Sequence, residues 1–375
     1  MTAIDHLGSI TNTASTFEGG VPVVVLRFAL QKAAQELVPQ ERVKICLRYH
    51  RPEHKIVKVV RQNDAKKAYF SGLMVCGSIW QCPVCAARIS EHRRDELSRA
   101  SNQWTGGMFM VTYTASHHLH TPLREILEVV TSGVRDFKSG REFQTLKHKY
   151  GWEGSVKGLE VTYGANGWHP HCHELVFTAN PLNSDQLEVL EIALKGHWIK
   201  ILGRNGYVAS TKNGLVVSDD HYDLQRYVSK FGHEPKMSIE DWKNKWSLVH
   251  EVTKAVTKRG KGAGRTPMEL LADYIVGDDE AGEAWREYAL TFKGKKQLTW
   301  SNGLRQLLKI GQEKSDAEIV DKIPENITVY ATFTLDNWRK ILRHDLRGEI
   351  LSNAGYMLQD EFANWIGGIL DNFQQ

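Results

Sequence analysis

Trp168-His169-Pro170-His171-Cys172-His173-Glu174-Leu175-Val176-Phe177 is the stretch on which the fold turns. Its length and its apolar end read as a strand running over Trp168–Thr178. In a strand, successive side chains alternate between faces, so His169, His171 and His173 project from one face. Cys172 lies on the other and is expected in the core. Three imidazoles side by side are not a core pattern, and a metal site is their expected use.

Working outward, Lys157–Tyr163 reads as a partner strand and Gly164–Gly167 as the hairpin connection. A four-residue loop puts Tyr163 opposite Trp168 and Glu160 opposite His171. A two-residue turn at Asn166-Gly167 puts Glu160 opposite His173. Both registers leave the carboxylate beside the imidazoles, because the slip is by two. Such a donor set suits Mn²⁺ or Mg²⁺ in a site left open for substrate, and zinc fits the donor types as well. An ion held there would polarise a phosphodiester oxygen.

The flanks are of mixed type. Met108–Thr114 is β-rich, and Pro122–Tyr150 and Ser184–Leu202 have helical spacing. Tyr207–Thr211 and Leu215–Ser218 read as strands around Lys212-Asn213-Gly214. A helix is expected from about Asp219 to Phe231, capped by Ser218 or Asp219. On it Asp223, Tyr227 and Lys230 stand at i, i+4 and i+7 and share a stripe, beside an apolar stripe of Leu224, Val228 and Phe231. A tyrosine hydroxyl is a weak nucleophile near neutrality, with a reference pKa of about 10. A nearby cation and Lys230 would favour its phenolate, and Asp223 could serve as base in a second step. Taken alone, the trio reads as a surface ion pair. It gains meaning by following the histidine strand. Tyr222 points about 140° away around the helix and is read as packing.

The chain has 375 residues, five cysteines and a net charge of +4. Its length allows two or three domains. No signal-peptide pattern or membrane-spanning stretch stands out, so a cytoplasmic protein is expected. An odd cysteine count without a secretion signal argues against a disulfide framework. Cys76, Cys82 and Cys85 form a knuckle typical of structural zinc, with Cys46 as fourth thiolate and His50, His54 and His92 as rivals. Zinc there would fasten a basic helix carrying Arg88, Arg93, Arg94 and Arg99 for DNA phosphates. A second basic run holds Lys254, Lys258, Arg259, Lys261 and Arg265; Lys258–Pro267 reads as an exposed loop without the phosphate-binding P-loop pattern.

Together, FMVTYT, LEVTY, WHPHCHELVF and YVSK, with the upstream CGSIWQCPVC and the later WSNGLR, resemble the rolling-circle replication initiators of small plasmids and phages. These are a branch of the HUH endonucleases, and the likeness spans roughly residues 46–310. The resemblance implies an α+β fold: a central antiparallel sheet carrying the histidines with helices on one face, an N-terminal zinc-binding segment and a helical C-terminal region. It matches His171 and His173 to the histidine pair, with His169 accompanying, and Glu160 to the acidic residue of the preceding strand. It matches Tyr227 to the nucleophile that links to a 5′ phosphate, and Lys230 to the lysine after it. Asp223 stands where this branch has a water-activating glutamate, one methylene longer. The chain is accordingly divided into an extension (1–40), a Cys-rich DNA-contact segment (41–104), an endonuclease domain (105–235) and a mostly helical region (236–375). Expected partners are origin DNA, a host helicase and a polymerase. A transposase or relaxase would share the chemistry, although paired tyrosines are missing. A zinc-stabilised regulator without catalysis, or a hydrolase of small phosphoesters, would leave the histidine strand or Tyr227 without a use.

Overall fold

The computed structural model describes residues 22–65, 67–219 and 264–372. In chain order these form α1 (Val23–Leu37), β1 (Ile56–Gln62), β2 (Lys67–Ser71), α2 (Pro83–Gln103), β3 (Gly107–Tyr113), α3 (Leu123–Ser139), α4 (Arg141–Lys149), β4 (Trp152–Gly164), β5 (Gly167–Thr178), α5 (Ser184–Arg204) and β6 (Leu215–Ser218). Then follow α6 (Pro267–Ile275), α7 (Asp279–Thr291), β7 (Leu298–Trp300), α8 (Leu304–Leu307), α9 (Asp316–Asp321), β8 (Ile327–Thr334), α10 (Leu335–Arg343), α11 (Arg347–Tyr356) and α12 (Gln359–Asn372). The expected helix from about Asp219 to Phe231 lies outside the described residues from 220 onward, Tyr222, Asp223, Tyr227 and Lys230 included, as does the basic run up to residue 263.

The histidine stretch is β5, the central strand of a five-stranded antiparallel sheet ordered β6-β3-β5-β4-β7. The first of the two expected registers forms, with Tyr163 opposite Trp168 and Glu160 opposite His171. Its loop is shorter than the four residues expected, because Gly164 pairs with Gly167 and only Ala165-Asn166 turn. A second antiparallel sheet, β2-β1-β8, takes strands from both ends of the chain. The fold is therefore α+β, as expected.

The two faces of the large sheet are covered differently. Phe109, Val111, Tyr113, Val161, Cys172 and Val176 belong to the main core. Against them α3 lays the stripe Ile126, Val130, Val134 and Phe137, spaced as an amphipathic helix requires; α5 adds Leu190, Leu194 and Trp198. Alternation puts Leu175 and Phe177 on the opposite face, where they meet Leu97 and Ala100 of α2 in a smaller core. His169, His171 and His173 continue that second face towards the hairpin and are half-buried.

Some local expectations needed correction. The helical stretch 122–150 is two helices broken at Gly140, which is extended (φ −75°, ψ 150°) and is a poor helix former. Tyr207–Thr211 is not a strand: Val208 accepts one hydrogen bond from the Ser116 N–H, and the chain then enters a turn closed by Gly214 N–H to the Ser210 carbonyl. The C-terminal region is helical except for β7 and β8, which complete the two sheets.

Gly167 holds the hairpin to its surroundings. Its φ is +84°, and a Cβ there would meet the Leu119 carbonyl oxygen at 2.7 Å. Gly167→Ala combines left-handed strain with displacement of the loop after β3, and is expected to cost about 1–3 kcal/mol. Urea denaturation reads this. An unchanged midpoint would mean that this loop is not packed on the hairpin.

Candidate functional site

On β5 the imidazoles form a row. The His169 and His171 ring centroids are 4.0 Å apart, and those of His171 and His173 are 5.8 Å apart. Glu160 reaches across from β4, its Oε2 lying 2.9 Å from His173 Nε2. A carboxylate only accepts, so Nε2 carries a proton, and Nδ1 shares a hydrogen bond with the Thr112 hydroxyl at 3.0 Å. Both nitrogens of His173 are thus engaged. His171 differs: its Nδ1 is buried with no hydrogen-bond partner. Burial, with His169 adding to it, pushes its pKa down to about 3, so its ring is neutral near physiological pH. Burial and then His117 also lower His169. Neutral imidazoles with an orphaned nitrogen fit a metal ion, which accepts only deprotonated ligands. The row is open rather than closed. Among the described residues, only the four cysteines form a group of three or more His, Cys, Asp or Glu whose ligand atoms all lie within 4.8 Å of one another.

The reverse face of β5 carries a buried charge. Glu174 is fully buried and accepts from Ser155 Oγ (2.5 Å), Tyr113 Oη (3.0 Å) and the Lys138 ammonium. Burial pushes its carboxyl up, but Lys138 and Ser155 outweigh this and hold it below the usual carboxylate range. Because the folded pKa is depressed, this contribution to stability is present at neutral pH. It is lost as pH falls through the folded value. Removing one partner of a fully buried pair costs about 3–5 kcal/mol. Lys138 keeps 23% of its side chain exposed, so Glu174→Gln is expected to cost less, about 2–3 kcal/mol. Chemical denaturation at neutral pH checks it, and the difference from wild type should shrink in acid.

Cys46, Cys76, Cys82 and Cys85 converge as expected and could hold a metal ion such as zinc. Cys46 follows α1 through a short 3₁₀ turn, Cys76 follows β2, and Cys82 caps α2 with Cys85 in its first turn. Sulfur separations of 3.5 Å (Cys46–Cys85), 3.6 Å (Cys76–Cys85) and 3.7 Å (Cys46–Cys82) approach the edge of a tetrahedron with metal–sulfur bonds of about 2.3 Å. Donors surround the sulfurs: Gln31 Nε2 on Cys82 (3.2 Å), Cys76 N–H on Cys46 (3.4 Å) and Ser78 N–H on Cys76 (3.5 Å). Hydrogen bonds with neighbouring sulfurs, and then burial, raise the Cys46 thiol. Burial also pushes Cys82 up, yet its sulfur neighbours outweigh it and hold it well below the thiol range. Four buried sulfurs cannot all ionise without a cation. Of the rivals, His92 Nε2 lies 3.7 Å from Glu96, and His50 Nδ1 faces the Arg51 carbonyl. Cys172 is buried in the core, which pushes its thiol up to about 12.

The basic helix expected to face DNA spends two of its arginines internally. Arg93 is buried and bonds Glu96, Asp316 and the Lys314 carbonyl. Arg88 bonds the carbonyls of Val320 and Lys322. Sequence could not show that α9 packs there. Arg265 likewise pairs with Asp273 and Asp278.

Sequence reasoning missed two neighbours of the histidine row, Thr112 and His117, and one brace of its hairpin, Glu287. Thr112 is placed by pairing of β3 with β5. Glu287 of α7 accepts from Trp168 Nε1 and from the Leu123 N–H, both at 2.7 Å, tying the hairpin to the start of α3. His117, in the loop after β3, stands with its ring 4.9 Å from His169. The cluster Ser116-His117-His118-Leu119-His120 was the available signal.

No family model matches the chain, and no solved structure does. Among curated proteins it is similar to one named Protein rep from Streptomyces lividans, at 25% identity over 360 residues, covering 77% of this chain and 76% of that one. It is also similar to one named Neomycin resistance protein from Streptomyces cyanogenus, at 28% identity over 146 residues. That second likeness covers 32% of this chain and 33% of the other protein. No helix among the described residues is long and apolar enough to cross a membrane. The likeness spanning most of both chains is to a Rep-named protein, which points to a Rep-like, replication-related protein.

Proposed function

We propose that this chain is an HUH-type replication initiator that nicks one DNA strand at an origin. The observation that carries the reading is the row His169, His171 and His173 with Glu160, set on the central strands of an antiparallel sheet and away from its main core. The Rep likeness supports it. In this reading a divalent ion, Mn²⁺ or Mg²⁺, supplies Lewis-acid polarisation of the scissile phosphate when bound. His171 presents a neutral ring to it, and Glu160 and Thr112 orient His173. Tyr227 attacks phosphorus through its phenolic oxygen. A 5′-phosphotyrosyl bond forms, the bond to the 3′ oxygen breaks, and that oxygen leaves protonated as a 3′ hydroxyl for a polymerase. Lys230 offsets phosphate charge, and Asp223 assists the later attack that releases the tyrosine. The two ends of the stretch bearing these residues are anchored on the large sheet: β6 pairs with β3, and Arg265 pairs with Tyr163 at the hairpin. The cysteine site braces the N-terminal part, and a host helicase opens the duplex.

One observation favours a second reading, a non-catalytic DNA-binding protein: the cysteine group is preassembled and the histidine row is not. Labelled single-stranded oligonucleotides covering the replicon, incubated with Mn²⁺ or Mg²⁺, separate the two. Nicking predicts a denaturant-resistant protein–DNA adduct that a chelator prevents. Binding without an adduct on any strand would leave the regulator.

A further inference from the structure

Arg88 and Arg93 of α2, which the sequence assigned to DNA, are spent inside the protein, so the cations available to a phosphate lie elsewhere. One cleft of about 590 Å³ gathers several of them. Its walls are the turn 77–81 after Cys76, the loop 293–297 that leads into β7, and the segment 313–316 at the start of α9. A volume of that order takes a ligand of nucleotide size. Three acids share the lining, and each is engaged: Lys293 bonds Glu41 at 2.8 Å, Lys296 bonds Glu313 at 3.2 Å and Arg93 bonds Asp316 at 3.1 Å. Arg42, Lys295 and Lys314 remain, with no salt bridge to an acid among the described residues. Arg42 and Lys314 are exposed and Lys295 is half-buried. The lining is therefore net positive.

Gln297 gives the cleft a second character. It lines the wall, is 4% exposed, and neither its Oε1 nor its Nε2 has a hydrogen-bond partner among the described residues. A buried amide left unmade is costly, and the cost falls away when a ligand supplies a donor and an acceptor side by side. The backbone fixes its place: the Gln297 carbonyl accepts from the Leu159 N–H at 3.2 Å, one residue before Glu160 on β4. The cleft thus adjoins the sheet edge beside the strand that carries Glu160. We infer that it binds one unpaired nucleotide of the DNA strand, with Arg42, Lys295 and Lys314 on phosphates and Gln297 on the base edge. The inference rests on the DNA-nicking reading above. Phosphate contacts position a strand without reading it, whereas a base-edge contact reads it. A carboxamide pairs bidentately with adenine, whose N6 amino group donates and whose N7 accepts. The consequence is that Gln297 biases the bound strand towards adenine.

The test uses the full chain with its cysteine site zinc-loaded, and short fluorescent oligo(dA) and oligo(dT) as probes, read by anisotropy. The buffer holds no Mn²⁺ or Mg²⁺, so nicking plays no part. Gln297→Leu is expected to lower the ratio of oligo(dA) to oligo(dT) affinity by about tenfold. It should not lower the melting temperature, because the amide has no partner in the protein to lose. Lys295→Ala with Lys314→Ala should weaken both oligonucleotides alike and reduce the salt slope of log affinity by about 1.4. Arg124→Ala with Arg204→Ala, on α3 and α5, is the comparison for loss of charge elsewhere. A ratio unchanged by Gln297→Leu would overturn the base contact, and a lowered melting temperature would mean that the amide serves the core instead. A comparison pair that reduces the slope as much as the cleft pair would make the cleft cations part of a diffuse surface. In each of these cases DNA still binds, and the nicking reading stands without this site. If wild type binds neither oligonucleotide, that reading falls, and this proposal with it.

Discussion

Tyr227→Phe is expected to abolish the covalent protein–DNA adduct while leaving DNA binding within about twofold. The substitution removes one oxygen and keeps the ring, so packing is little changed. If that oxygen is the nucleophile, its loss should slow strand cleavage by on the order of 10³-fold or more, the scale set by removing an activated nucleophile. Two companions sharpen the result. Tyr222→Phe should leave the adduct intact, because the helix expected from the sequence spacing would turn it away from the Asp223–Tyr227–Lys230 stripe. Asp223→Asn should still form the adduct but resolve it slowly, if the acid serves the second attack as proposed. Time courses on a labelled oligonucleotide, quenched into denaturing gel buffer, distinguish all three. Cleavage persisting at wild-type rate in Tyr227→Phe would make water the nucleophile and remove the central assignment.

The second large effect concerns the cysteines. Wild type is expected to hold about one zinc per chain at Cys46, Cys76, Cys82 and Cys85, and Cys85→Ser to hold almost none. Structural zinc is worth about 10–16 kcal/mol in small zinc-dependent units, comparable with the about 5–15 kcal/mol total stability of a domain. The four sulfurs join the end of α1, the segment after β2 and the start of α2. Loss of the ion should therefore lower the melting temperature by more than about 10 °C. Zinc release by a thiol-modifying mercurial, followed with a chromogenic chelator, gives the stoichiometry, and calorimetry gives the melting shift. A metal-free wild type that melts with Cys85→Ser would mean that the cluster is only a packed thiol core.

Much of this arrangement was legible in the sequence because it depends on short-range geometry. Alternation along a strand is set by the backbone, so His169, His171 and His173 had to share a face once 168–178 was a strand. Cys172 had to face the core, and it does. A hairpin of either length kept Glu160 on the imidazole side, because the slip between registers is even. The knuckle Cys82-x-x-Cys85 follows from a helix start capped by a cysteine, whose sulfur accepts from the N–H three residues on.

Long-range packing decided the rest. Arg93 looked like a surface cation, but the later helix α9 brings Asp316 to it and buries it. Tyr207–Thr211 has strand-like composition, yet only β6 finds a partner edge on β3. β8 completes a sheet begun near the other end of the chain, a pairing no local pattern announces. His117 reaches His169 only because Gly167 leaves room for Leu119. By itself the sequence determined the α+β class, the co-facial histidines and the knuckle of Cys76, Cys82 and Cys85, since each follows from backbone period or ligand spacing within one or two elements; that Cys46, and not a histidine, completes the quartet was decided by the fold. The tertiary structure alone decided which nitrogens are already engaged, which arginines are buried and which loop adds the fourth imidazole, because those depend on contacts between segments far apart in the chain.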